Sequence, residues 1–166
     1  MTILINPASK PVAQLYELDG GTIILDQAAS TGLAIVVADE SNVTPRYALR
    51  SVDGNTGLVR LSSASGQMIV RAAEASSLRL SFDKRSEAPA DSKASIGLLA
   101  LGRDGIFVVA EFSDGIEPSS VVIALSGWKI RGGLTSSQGF EWYSEWSLIS
   151  VDPYGERTIV VETQQQ

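Results

Sequence analysis

Residues 139–148 read GFEWYSEWSL and crowd Trp142, Tyr143 and Trp146 together. Two kinds of chemistry suit such a cluster. Tryptophans on an exposed sheet can stack on sugar rings, and tryptophans on a hidden face can fill a core. If 139–150 is one extended strand, Phe140, Trp142, Trp146 and Leu148 share one side, while Glu141, Tyr143 and Glu145 take the other. In a helical turn Trp142 and Trp146 would still share a face. Trp128 is the remaining tryptophan and a further candidate for a ligand or interface surface.

The carboxylates Glu141 and Glu145 invite a glycosidase reading, with one as acid and the other as base or nucleophile. Four residues along a strand span roughly 13 Å. That exceeds the ~5–9.5 Å such pairs require, so a carboxylate hydrolase would need acids from different strands. Two Ser-x-x-Lys matches, Ser81–Lys84 and Ser126–Lys129, lie at strand-like runs. The motif works where a helix start returns the lysine to the hydroxyl, and its companion motifs are absent. Asp53-Gly54-Asn55-Thr56-Gly57 opens like a calcium loop, but Gly57 and Ala64 stand where ligands are needed. It reads as a hairpin turn.

Composition removes more classes than it adds. The 166 residues contain no His and no Cys, which excludes Ser-His and Cys-His mechanisms, thiolate chemistry and disulfides. No cofactor and no metal is expected. The formal charge of −6 argues against nucleic acid as partner, and no apolar run is long enough to span a bilayer. The opening MTILINPASKP has no basic leader followed by an apolar stretch, so the compartment is left unassigned.

The elements that must position any site read as strands. Runs such as LAIVVA, YALRSV, LRLSF, IFVVAEF, SVVIAL and TIVVET are separated by Gly, Asp, Asn, Pro and Ser. Asp19-Gly20-Gly21, Asp53-Gly54-Asn55, Asp104-Gly105 and Asp114-Gly115 supply turns. Helical signal is limited to about one turn at Asp26–Ala29 and at Arg71–Ala75. The expected fold is therefore all-β: an antiparallel β-sandwich, jelly-roll or immunoglobulin-like, with at most short helical turns. One domain is expected over 1–166, with a polar loop or linker at 84–95.

Leu33–Ala38, Ile96–Leu101, Ile106–Ala110 and Val121–Leu125 are apolar on both faces. Without helices to cover them, the second face needs a long loop, a closed double sheet or another copy of the chain. Residues 47–70, YALRSVDGNTGLVRLSSASGQMIV, resemble the middle of a cadherin-type repeat, with a tyrosine strand, a turn and a Ser-Gly turn. The calcium-binding acidic motifs of that family are missing, and the resemblance carries no functional residue across.

Charge is segregated. Residues 46–85 hold Arg46, Arg50, Arg60, Arg71, Arg79, Lys84 and Arg85 against Asp53, Glu74 and Asp83, inside an acidic chain. The five arginines up to Arg79 are candidates for a charged interface with an acidic neighbour or an anionic glycan, or else they line the wet side of ordinary strands. The reading that results is a non-catalytic structural sandwich that self-associates or joins a larger assembly, such as a virion or a cell-surface structure. A carbohydrate-binding module using the tryptophans comes second, and a carboxylate hydrolase third.

Overall fold

The computed structural model describes residues 13–14, 17–39, 46–52, 59–64, 69–70, 77–89, 95–113, 117–131, 134 and 139–163. Among them the fold is all-β and sandwich-like. The first strands are β1 (Ala13–Gln14), β2 (Ile23–Leu25), β3 (Leu33–Ala38), β4 (Arg46–Ser51), β5 (Val59–Ala64), β6 (Ile69–Val70) and β7 (Ser77–Phe82). A 3₁₀ turn at Lys84–Ser86 leads to β8 (Glu87–Ala88), β9 (Leu99–Gly102), β10 (Gly105–Ser113) and β11 (Ser119–Ala124). The chain ends in β12 (Lys129–Arg131), β13 (Glu141–Tyr143), β14 (Trp146–Val151) and β15 (Arg157–Glu162).

The large sheet is mixed, and its pairings close a ring through β3, β4, β5, β10, β11 and β12. Closure explains two departures from a purely antiparallel sheet. It lays β10 parallel to β5, and β12 parallel to β3 at Lys129↔Ala38. The sheet forks at β10: one edge pairs with β11, and the other is shared by β9 at 105–108 and β5 at 111–113. From the fork, β9 continues to β13 and β8. A second sheet, β15-β14-β7, packs its β15 on β3 and β4. β1 pairs with β6 separately.

One core joins the two sheets. It contains Ile35, Val37, Leu49, Leu61, Val108 and Ile123 from the ring, with Trp146, Leu148, Val160 and Val161 from the second sheet. Alternation would send Val160 and Val161 to opposite faces. A register shift between Leu148 and Ile149 adds a residue to β15, and both valines stay at 0% exposure.

The strands apolar on both faces find their second cover inside the chain. Ala34, Val36 and Ala48 pack with Leu18 and Ile24 on one outer patch. Ala100, Phe107, Val109, Val122 and Ala124 pack with Trp142, Phe140 and Leu134 on another. Among the described residues these two patches are thus covered from within the chain, while Ile96 and Ile106 of the same runs stay exposed. The Phe140 ring lies so close to Gly102 that a Cβ there would stand 2.4 Å from it.

The two expected helical turns resolve differently. Asp26–Ala29 is a turn in which the Asp26 carboxylate accepts the Ala28 N–H at 2.9 Å. Arg71–Ala75 lies outside the described residues, as do the Asp53 and Asp114 turns. Of the 84–95 stretch, residues 84–89 and 95 are described: Asp83 caps the 3₁₀ turn, and β8 then pairs with β13.

Two hydroxyls stitch β15 to the ring. Ser51, 1% exposed, donates to the Glu162 carbonyl at 3.1 Å and accepts the Glu162 N–H at 2.8 Å, so one side chain does the work of a neighbouring strand. Thr31 donates to the Val160 carbonyl at 2.6 Å. Ser51→Ala leaves both Glu162 groups unpaired and is expected to cost about 1–3 kcal/mol. Denaturant titration with amide exchange at Glu162 checks this. An unchanged midpoint with unchanged exchange would mean that the clamp adds nothing.

Candidate functional site

The aromatic cluster is core. Trp142, Tyr143 and Trp146 are 1%, 5% and 3% exposed. They do not share a face, because 139–150 is two strands in two sheets. β13 belongs to the large sheet and β14 to the second, and the chain turns between them at Ser144 and Glu145. Trp142 thus packs on the outer face with Phe140, while Trp146 and Tyr143 enter the shared core. The Trp146 indole N–H donates to the Gly97 carbonyl at 2.8 Å. The Tyr143 hydroxyl donates to Glu141 at 2.9 Å, and this bond, with burial, raises its pKa.

Trp128 is the half-buried tryptophan. Its φ of +51° is unusual for so large a side chain, and it follows Gly127 at φ +80° in the hairpin between β11 and β12. The twist lays the ring against Gly21 and the Trp128 Cβ against Gly20, and aims the Trp128 carbonyl at the Ala38 N–H, 2.9 Å away. With two of three indoles sealed, tryptophan emission should be blue-shifted and resist acrylamide at every protein concentration. Red emission that quenches freely would contradict this packing.

Four of the five candidate arginines are described; Arg71 lies outside the described residues. Arg50 and Arg60 stand directly opposite each other on β4 and β5, an arrangement that repels. Each is drawn to its own acid. Arg50 Nε lies 2.8 Å from Asp26 Oδ2, and Arg60 binds Glu111 Oε2 through Nε at 3.2 Å and Nη2 at 3.1 Å. Arg46 donates to the Leu18 carbonyl at 3.2 Å. These three arginines are engaged within the chain. Arg79 instead lies exposed on β7, in the second sheet.

Comparison with family models, curated proteins and solved structures found no match.

A groove of about 500 Å³ opens on the second sheet, lined by Ser81, Asp83, Glu145, Ser147, Glu162 and Thr163, with Phe82 and Trp146 beside them. Register builds it: Ser147 on β14 is opposite both Ser81 on β7 and Glu162 on β15, which places the three on one face. At its end the Asp83 N–H donates to the Glu145 carbonyl at 2.9 Å. Thr163 Oγ1 donates to the Ser144 carbonyl at 2.8 Å and accepts the Trp146 N–H at 3.1 Å. Carboxylates from three separate segments, Asp83 just after β7, Glu145 just before β14 and Glu162 on β15, thus line one groove.

The Arg85 side chain, followed by its backbone N–H, hydrogen-bonds Asp83 and holds that carboxyl below its usual range. An acid held that way stays ionised near neutral pH, unlike the raised carboxyl a general acid requires. Such a groove suits hydroxyl groups or a cation. Ser81, Glu145 and Trp146 stand out in the sequence for other reasons, but the groove itself does not, because β7 and β14 are far apart in the chain and only their pairing assembles it. Among the described residues no cluster of three or more His, Cys, Asp or Glu is placed to hold a metal. No helix there is long and apolar enough to cross a membrane.

Proposed function

We propose that the protein is a non-catalytic structural β-sandwich that self-associates or builds a larger assembly, such as a virion or a cell-surface structure. The observation carrying this reading is the side of the second sheet at β7. Leu78, Leu80 and Phe82 point toward the core yet stay only half-buried, whereas Trp146 opposite Phe82 and Leu148 opposite Leu80 on β14 are sealed. Among the described residues β7 is bonded to β14 alone. The outer face of the same sheet adds Ile159, 43% exposed, opposite Ile149. An edge of this kind is a template for another strand. Sedimentation velocity across a wide concentration range at low salt tests the reading. Association that grows with concentration is expected, and a strict monomer would overturn it.

A glycan-binding role is the second reading, favoured by the groove of hydroxyls and carboxylates beside Phe82 and Trp146. Of the two sealed tryptophans only Trp146 borders this groove. Titration against a broad glycan panel, with Glu162→Gln as the control, is the test. Silence across the panel retires this role.

A further inference from the structure

We infer that β7 pairs with β7 of a second copy, antiparallel, with Leu80 opposite Leu80 across the two-fold axis. This rests on the assembly reading above and names its partner and register. Ser77, Arg79 and Ser81 are exposed, while Leu78, Leu80 and Phe82 face the core and are half-buried. Residues directly opposite in a sheet share a face, and a one-residue slip would turn every side chain over. Two-fold pairing must therefore centre on a residue, not between residues.

Two centres bring most of the strand together. Centring on Arg79 sets guanidinium against guanidinium, and it carries Phe82 past the start of the partner strand. Centring on Leu80 sets Leu78 against Phe82 on the core side and Arg79 against Ser81 on the wet side. All three apolar residues then gain cover and the charges stand apart. Arg79 thus selects the register by repelling its own copy in the alternative one. The product is a continuous sheet of six strands, β15-β14-β7 joined to its two-fold mate, through an interface that uses the same patch on both subunits.

Position 81 reads the register, because it faces Arg79 of the partner only when Leu80 is central. By sedimentation, Ser81→Asp is expected to tighten the dimer several-fold and Ser81→Arg to weaken it several-fold, since each acts at two symmetric pairs. Ser81 is exposed, so neither change disturbs the core. The chain has no cysteine, which permits a second readout. An equimolar mixture of Arg79→Cys and Ser81→Cys proteins should form disulfide dimers on mild oxidation, several-fold more than either variant alone.

Opposed responses at Ser81, with cross-linking that needs the mixture, support the pairing. Cross-linking of Arg79→Cys alone would overturn the register. Dimers that ignore both Ser81 changes and do not cross-link would overturn this edge as the interface, and leave the assembly reading standing on another surface. A protein that is monomeric throughout would remove both.

Discussion

Trp146→Phe is expected to destabilise the protein more than Trp142→Phe, although both indoles are sealed. Alanine at either position should cost about 3–5 kcal/mol, the usual range for emptying a large aromatic site. Phenylalanine separates the two sites because it removes the indole N–H while keeping much of the ring. At position 146 that N–H donates to the Gly97 carbonyl at 2.8 Å, so the change strands an acceptor. At position 142 the buried Nε1 has no hydrogen-bond partner among the described residues, so its removal relieves a desolvated donor and offsets some lost contact. The expected gap is roughly 1–3 kcal/mol. Urea denaturation of the two variants measures it. Equal losses, or a larger loss at 142, would show that the Gly97 bond contributes nothing net.

Gly21→Ala should be the costliest small substitution. Gly21 sits at φ +89°, a conformation that costs an L-residue about 1–2 kcal/mol. Its Cβ would stand 2.5 Å from Cδ1 and 2.6 Å from Nε1 of Trp128, adding about 1–3 kcal/mol of overpacking. Neither partner can retreat easily. The Gly21 N–H donates to the Val36 carbonyl at 2.8 Å, and the Trp128 carbonyl accepts from Ala38 at the point where the ring closes. Combining Gly21→Ala with Trp128→Ala removes the clash and leaves the backbone cost. A double-mutant cycle should thus return a favourable coupling near the overpacking term. Simple additivity would mean that the ring moves aside freely.

The all-β class was legible because β-branched runs and Gly-Asp turns are local signals: LAIVVA became β3 without change of bounds, and Asp19-Gly20-Gly21 is a turn. Two-faced burial was legible as a pattern, but its cover was not, since Phe140 reaches Gly102 only through the folded path of the chain. The aromatic stretch misled because alternation was carried through Ser144 and Glu145, where the chain changes sheets. The arginines looked available because their acids are distant in sequence; Glu111 meets Arg60 through the parallel pairing of β10 with β5. The groove was invisible for the same reason.

The route of the closed ring has a consequence for how the chain can be divided. Cutting within 84–95 would leave β3, β4 and β5 on one fragment and β10, β11 and β12 on the other. The second sheet would be cut as well, with β7 parted from β14 and β15. Each fragment would carry half of every pairing at the seams, with its apolar faces bare. Expressed separately, the halves should remain unstructured by circular dichroism; mixed, they should recover the spectrum of the intact protein. The molecule would then behave as two interleaved combs, each shaped only by the teeth of the other.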